Sequence, residues 1–233
     1  AFVTQLEALD QDSRPSFLDL VFVVENESIE WQGNAEQEDG YFSERLIIDD
    51  GDGIKASFCA SADFDLDGDV DVLLLEADSG RVSLFENNGT GGFLEPKRIF
   101  YEKSCEPYHA LIRDLNEDGY PDIILALRGS GRVLVLQNNP SAHFDFLKVE
   151  SNMEAENVIH IDSGDIDGDG DIDIVATGKY ESSSEYYIQW FRNGGELWFT
   201  EDNEKLTFSD HLALEFDSTQ INNPKSLSLG DAD

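Results

Sequence analysis

Three short stretches set acidic side chains on alternate residues, a pattern that could gather a cation. Residues 63–71 read DFDLDGDVD, residues 114–122 read DLNEDGYPD and residues 165–173 read DIDGDGDID. In each, positions 1, 3, 5 and 9 offer a side-chain oxygen, and a glycine follows position 5. So many carboxylates of one sign on alternate residues repel one another unless a cation sits among them. Side-chain oxygens at those positions, with a main-chain carbonyl from position 7, form the mixture that a hard divalent ion takes, and calcium takes six to eight such oxygens. The second stretch is informative because it varies: Asn116 replaces Asp at position 3 and Tyr120 stands at position 7, yet both keep the oxygen that coordination needs. Magnesium fits less well, since its rigid octahedron retains several waters and few protein ligands.

The EF-hand loop opens with the same letters but ends in a bidentate Glu at position 12 and lies between helices. Here Leu74, Leu125 and Ala176 occupy position 12, and the carboxylate at position 9 runs straight into an apolar segment. A solvated acidic turn would account for one such stretch. It does not account for three with identical glycine placement.

The elements that must hold these loops repeat with them. Asp63, Asp114 and Asp165 stand 51 residues apart, and each loop is followed by an apolar run, a turn, a second run and an asparagine six residues before a phenylalanine: Asn87 and Phe93, Asn138 and Phe144, Asn193 and Phe199. The segments VDVLLL, RVSLF, PDIILAL, RVLVLQ, IDIVAT and YYIQWF are short, rich in β-branched and aromatic residues and bounded by Gly, Asn and Ser, with no sustained 3.6-residue period. The chain therefore reads as all-β. Each repeat has room for four antiparallel strands, including a leading one such as SFCASA and a last one such as KRIFYE. That is the arithmetic of a β-propeller blade, whereas a β-helix would use much shorter repeats.

The approximate repeats are 1–50, 51–101, 102–152, 153–215 and 216–233. The first has a decayed loop: Asp10, Asp12 and Asp19 remain, but Arg14 sits where the third carboxylate belongs and Pro15 replaces the glycine. The last, SLSLGDAD, supplies Asp231 and Asp233 as the first two positions of a further loop. Four blades plus a surplus strand at 225–230 read as a segment of a larger propeller, with an end that also permits self-assembly.

Composition bounds the function. With 40% apolar and 11% aromatic residues in 233, a sizeable core is available, while 50 acidic against 15 basic residues give a formal charge of −35. Such a charge excludes nucleic acid and anionic membrane surfaces as partners and favours cations or basic ones. No apolar run reaches the length needed to cross a bilayer.

The pattern D-x-[DN]-x-D-G-x-x-D before an apolar strand, with a later aromatic-x-Asn segment, resembles the FG-GAP and VCBS repeats that build the integrin α-subunit propeller and many secreted microbial proteins. The resemblance implies a calcium-stabilised propeller with ion loops between the first and second strands of each blade. Carried onto this chain, it makes the ligands Asp63, Asp65, Asp67, the Asp69 carbonyl and Asp71; Asp114, Asn116, Asp118, the Tyr120 carbonyl and Asp122; and Asp165, Asp167, Asp169, the Asp171 carbonyl and Asp173. About three structural Ca²⁺ ions would bring the charge from −35 to about −29.

Other residues have plainer readings. Cys59 and Cys105 lie near the leading strands of adjacent repeats at different registers, so a disulfide is open. His109 and His160 hold equivalent positions five before their loops and are expected to face a central channel, as repeat equivalents rather than as a zinc site or catalytic pair. Trp31, Trp190, Trp198 and Phe199 read as packing aromatics, with sugar stacking as the alternative. Asn26 and Asn88 open glycosylation triplets, and SSSE at 182–185 lengthens a hairpin.

The expected function is an extracellular recognition or adhesion module, secreted or at a cell surface, whose partner is an extracellular protein or glycan. Alternatives are a lectin, a unit of a surface filament or scaffold, and a non-catalytic part of a polysaccharide-degrading enzyme. No nucleophile and base are paired in the sequence, so an enzyme is not expected.

Overall fold

A computed structural model describes residues 56–90, 92–149, 153–183, 185–194 and 228–229, together with the backbone of strands at 2–7, 18–24, 28–32, 46–49 and 209–213. The loop of the first repeat, the start of the further loop at Asp231, and Trp198, Phe199 and Asn26 lie outside the described residues.

Sixteen strands and no helix are found among them. Blade 1 comprises β1 (Phe2–Glu7), β2 (Leu18–Val24), β3 (Ser28–Gln32) and β4 (Leu46–Asp49). Blade 2 comprises β5 (Phe58–Ala62), β6 (Asp71–Glu76), β7 (Arg81–Phe85) and β8 (Lys97–Tyr101). Blade 3 comprises β9 (Pro107–Arg113), β10 (Asp122–Leu127), β11 (Arg132–Asn138) and β12 (Phe146–Val149). Blade 4 comprises β13 (Val158–Gly164), β14 (Asp173–Lys179), β15 (Tyr186–Arg192) and β16 (Ser209–Ala213). Every sheet is an antiparallel meander whose spatial order follows the chain, as the β-branched runs and short turns predict.

The leading strands lie side by side, β1 against β5, β5 against β9 and β9 against β13, so the sheets splay outward from a common row as propeller blades do. Among the described residues the sheets do not close into a ring. Beyond blade 4, the Leu229 N–H donates to Asp162 Oδ2 at 2.6 Å, which sets residues 228–229 beside β13.

Blades stack face to face, and this explains why the second strands read as continuous apolar runs rather than alternating ones. All six residues of β6 and all six of β10 are buried, because both faces of each sheet are covered. Leu73 and Leu75 pack against Ile123, Leu125 and Leu127 of blade 3. One residue over, Ile124 and Ala126 join Ile174 and Ala176 of blade 4. Fully burying such a side chain contributes about 1.5–3 kcal/mol, and no backbone ladder joins one described blade to the next. The apolar faces are therefore the main cement between blades.

That face parity settles the cysteines. Cys59 lies on one side of blade 2 with Val72, Leu74 and Phe85, whereas Cys105 lies on the other side with the core shared with blade 3. Both are buried thiols with no disulfide between them. The sheet itself stands between the two sulfurs.

Candidate metal centres

Each acidic loop joins the first strand of its blade to the second, and each is closed by the same rung of the ladder. Ala62 pairs with Asp71, Arg113 with Asp122 and Gly164 with Asp173, so position 9 is the first residue of the second strand.

The eight residues before it are curled by their own carboxylates. The position 1 side chain accepts the N–H groups of positions 5 and 6: Asp63 from Asp67 (3.1 Å) and Gly68 (3.0 Å), Asp114 from Asp118 (3.1 Å) and Gly119 (2.8 Å), Asp165 from Asp169 (3.1 Å) and Gly170 (3.0 Å). At position 3, Oδ1 of Asp65, Asn116 or Asp167 accepts the position 5 N–H as well. At position 5, Oδ1 of Asp67, Asp118 or Asp169 accepts the N–H of Asp69, Tyr120 or Asp171, whose carbonyls are the expected main-chain ligands. The curl demands a left-handed residue at position 6, where Gly68, Gly119 and Gly170 have φ of 99°, 89° and 100°.

Position 9 is different in kind. Asp71, Asp122 and Asp173 are buried, at 1%, 0% and 0% exposure. Both oxygens of each are held by main-chain donors: Oδ2 by the N–H of loop position 2 (Phe64, Leu115 or Ile166, 3.0–3.1 Å) and Oδ1 by the N–H of the repeating asparagine (Asn87, Asn138 or Asn193, 2.7–2.9 Å). The asparagine amide then donates back to the residue before position 9, Val70, Pro121 or Ile172. Asn138 also reaches across to the Phe64 carbonyl of blade 2 at 2.7 Å. The 51-residue repeat marked these asparagines, but only the structure shows that they latch the loop to the third strand.

Electrostatics follow from burial. Desolvation pushes the Asp71 and Asp122 carboxyls up to about 7, against the opposing pull of the two N–H groups each accepts. Asp173 is raised for the same reason. Burial and then the neighbouring Asp67 raise Asp65 and Asp69. Asp169 is lowered, first by the Asp171 N–H and next by Arg192.

Asp63, Asp65 and Asp71 bring one oxygen each to within 4.8 Å of one another, and Asp165, Asp167 and Asp173 do the same. Asp67, Asp69, Asp169 and Asp171 stand outside those two triplets. In the 114–122 loop the amide of Asn116 takes the place of a third carboxylate and donates to Asp118 Oδ2 at 3.0 Å. The third loop shows what such a set attracts. Arg192 at the end of β15 lays its guanidinium on Asp167 Oδ2 (Nε, 2.5 Å) and Asp169 Oδ2 (Nη2, 2.8 Å), the oxygens that the loop's own N–H groups leave free. An anionic, oxygen-only donor set with a cation already drawn to it suits a hard divalent ion.

Two other features expected from sequence are also placed. Asn88 sits in an exposed hairpin and its Oδ1 accepts from the Thr90 N–H and hydroxyl. Trp190 is half-buried in β15, in register with Val175 and Leu212.

The histidines stack where the leading strands meet: the His109 and His160 ring centroids are 4.0 Å apart, and His109 also lies 4.7 Å from Phe58. Burial, and then His160, push His109 down to about 3 from 6.5, while Asp162 pulls the other way. Below pH 6.5 the unfolded chain thus binds the extra proton, so this contribution to stability is complete above about pH 6.5 and lost as the pH falls toward 3. His109→Phe keeps the ring stack and removes the titration. Urea unfolding in chelator between pH 6 and 4 should show the wild type losing stability faster than the variant, by up to about 1.4 kcal/mol per pH unit; parallel curves would clear His109 of any part in acid lability.

Residues 63–125 and 114–176 each match the family described as FG-GAP-like repeat, and each match runs from position 1 of one loop through the whole of the next. No match was found among curated proteins.

Proposed function

Residues 63–176 belong to the FG-GAP-like repeat family, and from that membership we propose that this chain is an extracellular calcium-binding recognition or adhesion module, secreted or held at a cell surface. The observation that carries the proposal is the thrice-repeated loop, in which main-chain N–H groups hold one oxygen of each side chain at positions 3 and 5, and a guanidinium takes the remaining carboxylate oxygens in blade 4.

The ions, about three, are structural. They neutralise loops that would otherwise repel, and so fix the hairpins around them into one surface for an extracellular protein or a glycan. Calcium outside cells is abundant enough for loops of moderate affinity. The module is non-catalytic in this reading, because the clustered carboxylates are committed to shaping their own loops.

Titration calorimetry on chelator-treated protein should give about three calcium ions per chain and far weaker magnesium binding. The absence of calcium binding would remove the basis of the proposal. With calcium established, screening of glycans and extracellular proteins in calcium and in chelator tests recognition itself.

A further inference from the structure

The three loops are near-copies, yet the residue immediately before the latching asparagine changes from Glu86 to Gln137 to Arg192. Pleating decides where this position points. The asparagine and the residue before it face opposite sides of the sheet. Asn138 turns toward blade 2, where it meets Phe64, so Gln137 turns the other way. The same parity brings Glu86 to the blade 3 side, against His143, whose other ring nitrogen lies 3.4 Å from Asp65 Oδ2. It also brings Arg192 onto Asp167 and Asp169. Glu86, Asp65 and His143 offer donor atoms within 4.8 Å of one another. Gln137 Oε1 is buried without a hydrogen-bond partner among the described residues. One position of the repeat thus carries an anion, a neutral amide and a cation, and the anion and the cation both stand against carboxylates of their own loops.

Resting on the calcium reading, we propose that the charge at this position tunes the ion affinity of its loop, raised by Glu86 in blade 2 and lowered by Arg192 in blade 4. Glu86 adds a negative charge beside Asp65, and His143 holds it there. Arg192 is a resident counter-cation on two expected ligands, and an entering ion has to displace it. A unit charge within a few ångströms of a partly exposed ion changes its affinity by roughly tenfold or more.

Calorimetric titration of the full chain with calcium alone tests this in four variants. Arg192→Gln should tighten one step by about tenfold and leave the others in place, whereas Arg192→Lys, which keeps the charge, should stay close to wild type. Asp165→Asn, which impairs the blade 4 loop, should abolish the same step that Arg192→Gln tightens. Glu86→Gln should weaken a different step by about tenfold. Side-chain exposures of 46% for Arg192 and 28% for Glu86 leave both changes compatible with folding, which circular dichroism would verify. If three ions bind and the Arg192→Gln and Glu86→Gln isotherms superimpose on that of the wild type, the tuning is overturned and the calcium reading stands. If the wild type and all four variants bind no calcium, both fall.

Discussion

Asp122→Ala should destabilise the chain by roughly 3–5 kcal/mol in excess chelator, with no ion present at all. The reason lies in the two donors it strands. The Leu115 and Asn138 N–H groups both point at the Asp122 carboxylate, at 3.0 and 2.9 Å, and all three residues are buried, at 4%, 3% and 0% exposure. A buried donor left without its acceptor costs about 1–3 kcal/mol, and two are orphaned together. The expectation separates position 9 from the rest of the loop. Asp118 is exposed, and Asn in its place can still accept the Tyr120 N–H, so Asp118→Asn should unfold like the wild type in chelator, within about 0.5 kcal/mol. In calcium that variant should fall behind. Urea unfolding under both conditions reads the difference, and a chelated Asp122→Ala protein as stable as wild type would refute the latch.

Calcium itself should produce the largest shift of any condition. At concentrations a hundredfold above the dissociation constant, each occupied loop adds about 2.7 kcal/mol, so three together add roughly 8. For a chain of 233 residues, 1 kcal/mol moves the thermal midpoint by about 2–4 °C, which puts the expected rise at roughly 15–30 °C over chelated protein. Magnesium at the same concentration should recover only a small part of it. The direction follows from charge: a chain at −35 holds its densest carboxylate clusters in three tight curls, and the bound ion removes repulsion that the unfolded chain relieves by expanding. Scanning calorimetry in calcium, magnesium and chelator decides it. Coincident midpoints would make these loops acidic turns and nothing more.

What could be read from the sequence was what is local. A nine-residue loop carries its candidate ligands, its obligatory left-handed glycine and its outgoing strand within one contiguous stretch, so the 63–71, 114–122 and 165–173 loops and the strands β6, β10 and β14 were visible in spacing and composition alone. Four strands per repeat followed from the 51-residue interval, because a meander keeps its spatial order in chain order.

The rest depended on which face of a pleated sheet a residue occupies and which blade lies beyond it. Asp71, Asp122 and Asp173 look like the other carboxylates in sequence, but burial and two main-chain donors make them latches. Asn138 was visible as a repeated letter, while its bond to Phe64 crosses 74 residues. Cys59 and Cys105 are close enough in the repeat pattern to pair, but the blade 2 sheet stands between them. His143 reaches the 63–71 loop from the following blade, and Arg192 reaches its own loop only because the pleat turns it away from Phe191 and the core beneath. Local oxygen spacing determines where an ion could sit; the two-residue alternation of strands and the stacking of blades decide what surrounds it, since a shift of one residue moves a side chain to the opposite face.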